Sequence, residues 1–154
     1  MGYNAQNYRE QGGESWVVGG TLTAATLVAA ALDTENFTFP ADVTRAATSD
    51  GLTTGTIADA GLLQFVTVTS AGANNIIVLP TPTPGTIVIL ANGATGYELR
   101  SSAPGTVAIN GGTGANAESA IAASTMVIAI CTSATTWQAI GLAGTTLAAV
   151  EAAA

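Results

Sequence analysis

"LLQFVTVTSAGANNIIVLPTPTPGTIVILANG", Leu62–Gly93, is the stretch that decides the fold class. It holds three short runs rich in Val, Ile, Leu and Thr, "LLQFVTVTS", "NIIVLP" and "TIVILAN", set apart by "AGAN" and "PTPTPG". β-Branched residues fit a pleated, half-buried surface, and runs this short between turn residues read as strands. Within them "IIVL" and "IVIL" are continuously apolar rather than alternating, which predicts cover on both faces. The three prolines of Pro80–Gly85 carry no N–H and favour extended geometry at about 3.1 Å per residue, so this connection reads as a stiff crossing and not a tight hairpin turn. They also interrupt what would otherwise be a long aggregation-prone strand.

Toward the C-terminus the pattern repeats. "YELRS", "TVAIN", "TMVIAIC" and "TWQAIG" follow, separated by "NGATG", "APG", "NGGTGAN" and "TSAT", and "VIAI" is again continuously apolar. Strands recurring about every ten residues between turns predict an all-β fold, an antiparallel β-sandwich or small barrel of about seven short strands. In a domain this small, a strand covered on both faces points to a partner subunit on one side. Toward the N-terminus the order fades. Residues 37–61 mix Thr, Ala and Asp without a period, "AATLVAAAL" (Ala24–Leu32) has the length of two helical turns, and "SWVVGGTL" reads as a short strand ended by Gly19-Gly20. The first fifteen residues are polar and read as an extended arm. The expected organisation is an arm and short strand over 1–22, a connecting segment over 23–61, a β domain over 62–141 and an Ala-rich tail over 142–154.

Composition narrows the function. The chain has 154 residues, about one domain's worth. Charged residues make up 8% of it, against roughly 25% in an ordinary globular protein. Ten acids stand against three arginines, Arg9, Arg45 and Arg100, for a net charge of −7. Three scattered arginines cannot build the basic face that phosphate contacts need, so nucleic acid and anionic membrane surfaces are not expected partners. The longest apolar stretches fall short of the roughly 20 residues a membrane span needs, so a soluble protein is expected.

Catalysis lacks its usual parts. There is no His and no Lys, so a nucleophilic Ser or Cys has no ordinary base, and no metal or cofactor motif is present. "NGGTGANAES" lacks the third glycine and the strand-to-helix setting of a dinucleotide site. Paired carboxylates, Asp33 with Glu35 or Asp42 with Asp50, leave a glycosidase as a third reading. Cys131, the one cysteine, reads within "MVIAIC" as a small buried apolar residue. Trp137 reads as a core residue of a strand, with an exposed sugar platform as the alternative. Trp16 sits beside a polar stretch holding Arg9, Gln11, Gly12, Gly13 and Glu14. Trp and Arg tend to carry binding energy at interfaces, and glycine pairs let a backbone lie close to a partner; covering the edge of its own core is the equal alternative for Trp16.

"YREQGGESWVVGGTL" resembles the N-terminal signature of head fibre and decoration proteins of tailed bacteriophages, a Tyr-Arg-x-Gln-Gly-Gly run followed by a large residue, small β-formers and Gly-Gly. The second half is similar to a β-rich module of phage virion proteins in which Leu79-Pro80, Pro84-Gly85, Asn92, Ile109-Asn110-Gly111 and Trp137 fall in this order. Ala24–Leu32 and the segment from Asp33 to Gly61 match no part of that pattern. The resemblance implies a non-catalytic, cofactor-free and metal-free structural protein on the outer surface of a virion capsid, made in the host cytoplasm and homotrimeric, with the major capsid protein as partner. Its capsid-binding residues would be Tyr8, Arg9, Gln11, Gly12, Gly13 and Trp16. A carbohydrate-binding or adhesion module of a phage tail or cell surface is the rival reading, motivated by Trp137 and the Thr/Asn-rich loops.

Overall fold

A computed structural model of the chain describes residues 7–9, 16–18, 43–51, 53–58, 61–143, 146–150 and 152–153. The stretch Ala24–Leu32, expected to turn as a helix, lies outside these residues. The chain divides into two compact units, Met1–Phe37 and Thr38–Ala154. In the first, β1 (Asn7–Arg9) pairs antiparallel with β2 (Trp16–Val18).

The second unit contains β3 (Val43–Ala46), a single 3-10 turn (Thr53–Gly55), β4 (Leu63–Thr69), β5 (Ile76–Val78), β6 (Ile87–Asn92), β7 (Tyr97–Arg100), β8 (Ala108–Ile109), β9 (Glu118–Ile121), β10 (Thr125–Ser133), β11 (Thr136–Ala143) and β12 (Thr146–Ala149). The fold is all-β, with no α-helix among the described residues. Every run read from sequence as a strand beyond Leu62 is one. β3, β9 and β12 are additional, because "VTRA", "ESAI" and "TLAA" are too polar or too small-featured to stand out by composition.

The expected antiparallel sandwich or barrel is not what forms. A large open sheet runs in the order β12-β11-β10-β6-β4-β3, with β8 attached to β11, and a small one in the order β5-β7-β9. β3, β4 and β6 pair in parallel, as do β5 with β7 and β8 with β11. The chain therefore alternates between sheets, β4 to β5 to β6 to β7, and each pass lies beside the one before. Val43 pairs with Val66, Leu63 with Ile87 and Ile76 with Glu98, spacings of 23, 24 and 22 residues. This is the connectivity of a short β-solenoid. Parallel neighbours need a long crossover, and here the strand in the opposite sheet supplies it. After β7 the direction reverses, so that β9 runs antiparallel to β7 and β10 antiparallel to β6, and β10-β11-β12 form a meander.

One core lies between the sheets. The large sheet contributes Val66, Val68, Val88, Leu90, Val127, Ala129, Cys131 and Trp137, and the small sheet Ile77, Tyr97, Leu99 and Ile121. The proline segment does cross, as expected: it leads from β5 in one sheet to β6 in the other, with Gly85 at a φ of 93° and its N–H donated to the Cys131 carbonyl at 2.9 Å.

Candidate interaction surfaces

Two surfaces stand out, one in each unit. In the first unit, the β1–β2 register sets Arg9 opposite Trp16, Tyr8 opposite Val17 and Asn7 opposite Val18. Residues far apart in the motif thus become cross-strand neighbours, because β-formers on either side of the Gly-Gly run fold back on each other. Gln11, Gly12 and Gly13 lie outside the described residues.

In the second unit, the register separates the two faces of the large sheet. Alternation puts Val66, Val88 and Val127 in the core and their neighbours outside. Phe65 pairs with Ile89, and Ile89 with Ile128, so these three lie in one row across β4, β6 and β10. Met126 and Ile130 flank that row along β10, and Ile140 continues it on β11. Phe65 is 38% exposed, Met126 42%, Ile130 41% and Ile140 41%. Thr44, Thr67 and Thr69 border this apolar patch on one side and Gln138 on the other. No charged residue occupies an outward position of β3, β4, β6, β10 or β11.

The small sheet is the opposite. Its outer face carries Glu98, Arg100 and Glu118, with Arg100 and Glu118 directly across from each other and ion-paired. Partial burial pushes the Glu98 carboxyl up from its ordinary value. Ile76 and Val78 share that outer face with Glu98 and Arg100, yet both are buried. The chain covers them itself: Thr48 bridges to Ile76, Thr56 to Val78, and Gly51 sits where a Cβ would come within 2.7 Å of a methyl of each.

The motif positions of the second half hold the fold together. Leu79 and Trp137 are fully buried. Asn92 Nδ2 donates to the carbonyls of Thr95 (2.9 Å) and Ala122 (3.0 Å), while its Oδ1 accepts the Thr125 N–H (3.1 Å). Asn110, in left-handed geometry at a φ of 51°, donates to the carbonyls of Ala139 (2.9 Å) and Val150 (2.7 Å) and accepts the Ala139 N–H (2.8 Å). Each asparagine ties three backbone groups that the sheet ladders do not pair.

Other candidate residues fall as follows. Trp137 is wholly enclosed, so it offers no platform for a sugar ring. Cys131 is buried, and that burial pushes its thiol up. Asp33, Glu35 and Asp42 lie outside the described residues; Asp50 is exposed and accepts the Thr48 hydroxyl at 3.0 Å. No described helix is long and apolar enough to cross a membrane. Comparison of the chain with protein-family models, curated proteins and solved structures finds no match.

Proposed function

We propose that the protein is a structural component of a bacteriophage virion, a head fibre or decoration protein held on the outer capsid surface by multivalent, non-covalent contacts. The observation that carries this reading is the pairing of Arg9 with Trp16 in a hairpin belonging to a unit of its own. Arg and Trp are the side chains that most often anchor an interface, and a two-stranded ribbon is marginal in water without a surface to pack on. The sequence motif that resembles the phage signature is the one that builds this ribbon. In a homotrimer, three copies of such an arm reinforce one another, because the second and third contacts form at high effective concentration. The major capsid protein is the partner in this reading, and no step of it needs a cofactor.

The test is cosedimentation with capsids. Deleting residues 1–15 abolishes binding, and Trp16→Ala or Arg9→Ala weakens it by tenfold or more, equivalent to about 1.4 kcal/mol for each anchoring side chain removed. Undiminished binding by a truncated chain that keeps its β fold would remove the arm from this role. With Trp137 enclosed, the adhesion-module rival rests on the Thr/Asn-rich loops alone.

A further inference from the structure

We infer that the outer face of the large sheet, centred on Phe65, Ile89, Met126, Ile128, Ile130 and Ile140, is the surface on which further copies of this chain pack. The self-association stands on the face alone; its closure as a trimer rests on the virion reading above.

Four observations choose the occupant. The first is area. Six strands about 4.8 Å apart, with outward positions about 6.7 Å apart and averaging about three to a strand, span roughly 550 Å² in projection before side-chain relief is counted, comparable to the ~800 Å² that a stable interface takes from each partner. The second is anatomy. An apolar centre with a Thr and Gln rim is how a subunit interface is laid out, and a shallow depression of about 390 Å³ lined by Phe65, Ile89 and Met126 lies on the face, giving relief for side chains of a neighbouring copy to interdigitate.

The third is charge. The chain carries a net charge of −7, and its small sheet bears Glu98, Arg100 and Glu118 on the outside, while the large sheet's outer face bears none among the described residues. Two copies repel through most of their surfaces. Where these outer faces meet, no charges oppose one another. A basic partner would be drawn to the acids elsewhere, and an anionic lipid surface would call for Lys or Arg around the patch, which the described rim lacks. The fourth is internal contrast. Where the small sheet carries outward apolar residues, Ile76 and Val78, the chain lays Thr48, Gly51 and Thr56 over them. On the large sheet, Met126, Ile130 and Ile140 stay about 40% exposed in a single chain.

Light scattering of the full-length protein at about 100 μM, a concentration at which a micromolar contact is saturated, tests this. The expected mass is about 45 kDa, three times the 15.1 kDa of one chain. Ile130→Lys and Met126→Lys, both at exposed positions, reduce it to one chain's mass, whereas Ala120→Lys on the outer face of the small sheet leaves it unchanged. Circular dichroism confirms that each variant keeps its β structure. A wild-type monomer at that concentration overturns the inference without any variant, as do folded lysine variants that remain associated; a monomer that instead sediments with neutral phosphatidylcholine vesicles would assign the face to lipid. A dimer in place of a trimer keeps the face and removes the threefold closure. Capsid binding by the arm is scored separately, so either proposal can fail alone.

Discussion

Asn110, like Asn92, ties the fold through three side-chain hydrogen bonds to the backbone. It holds a left-handed backbone, joins β8 to β11 and ties down Val150 through three hydrogen bonds. With each bond contributing about 1 kcal/mol, Asn110→Ala is expected to cost about 3 kcal/mol, read from the midpoint of denaturant unfolding at fixed protein concentration. Asn110→Gly loses the same bonds but relieves the left-handed strain, so it should be about 1 kcal/mol less damaging than the alanine variant. Equal losses for the two would show that the backbone conformation is not strained at this position. The Ile109-Asn110-Gly111 triplet is visible in the sequence as a motif, but the role of its Asn is not, because its partners lie 29 and 40 residues away.

Among the elements, β5 shows how a continuously apolar strand can be covered without a second molecule. Ile77 and Leu79 face the core, and Ile76 and Val78 lie under Thr48, Gly51 and Thr56, which approach closely enough only because residue 51 is glycine with a φ of 70°. Gly51→Ala combines a clash against two methyls with an unfavourable backbone, and is expected to cost about 3 kcal/mol in thermal or chemical unfolding. A variant as stable as wild type would mean that these residues can lift away without loss. β6 and β10 are equally apolar, "IVIL" and "VIAI", but no described segment of the second unit is laid over their outward residues. The same local pattern thus has two different outcomes, and no inspection of the strands themselves could separate them. Whether a crossing segment passes above a strand depends on where the chain goes next.

At the scale of the second unit, charge and hydrophobicity are sorted by sheet: ion-paired groups outside the small one, none among the described residues outside the large one. Association through an uncharged face responds little to ionic strength. Between about 50 and 500 mM NaCl the assembled mass should hold or rise, since screening weakens the repulsion between acidic chains and leaves apolar contact intact. Dissociation at high salt would show that charge pairs hold the assembly together. The winding that creates these two faces also has a trace in the sequence, missed at the ten-residue spacing of individual strands. The neighbouring residues Leu63 and Ile87, and Ile76 and Glu98, are 24 and 22 residues apart. That is the length of one full pass through both sheets, and so twice the interval between successive strands.

The β class, the strands beyond Leu62, the crossing nature of Pro80–Gly85 and the burial of Trp137 and Cys131 all follow from the sequence by itself, because propensity, alternation and proline geometry act within a few residues. Strand direction, the division into two sheets and the identity of the outward face were decided by the tertiary structure. Each depends on which strand lies beside which, and pairing across some 23 residues is set by the whole path of the chain. The opening stretch contained all the apolar residues needed to predict cover on both sides. Only the winding showed that the chain supplies that cover for "IIVL", while no described residue of the second unit is laid over the outward side of "IVIL".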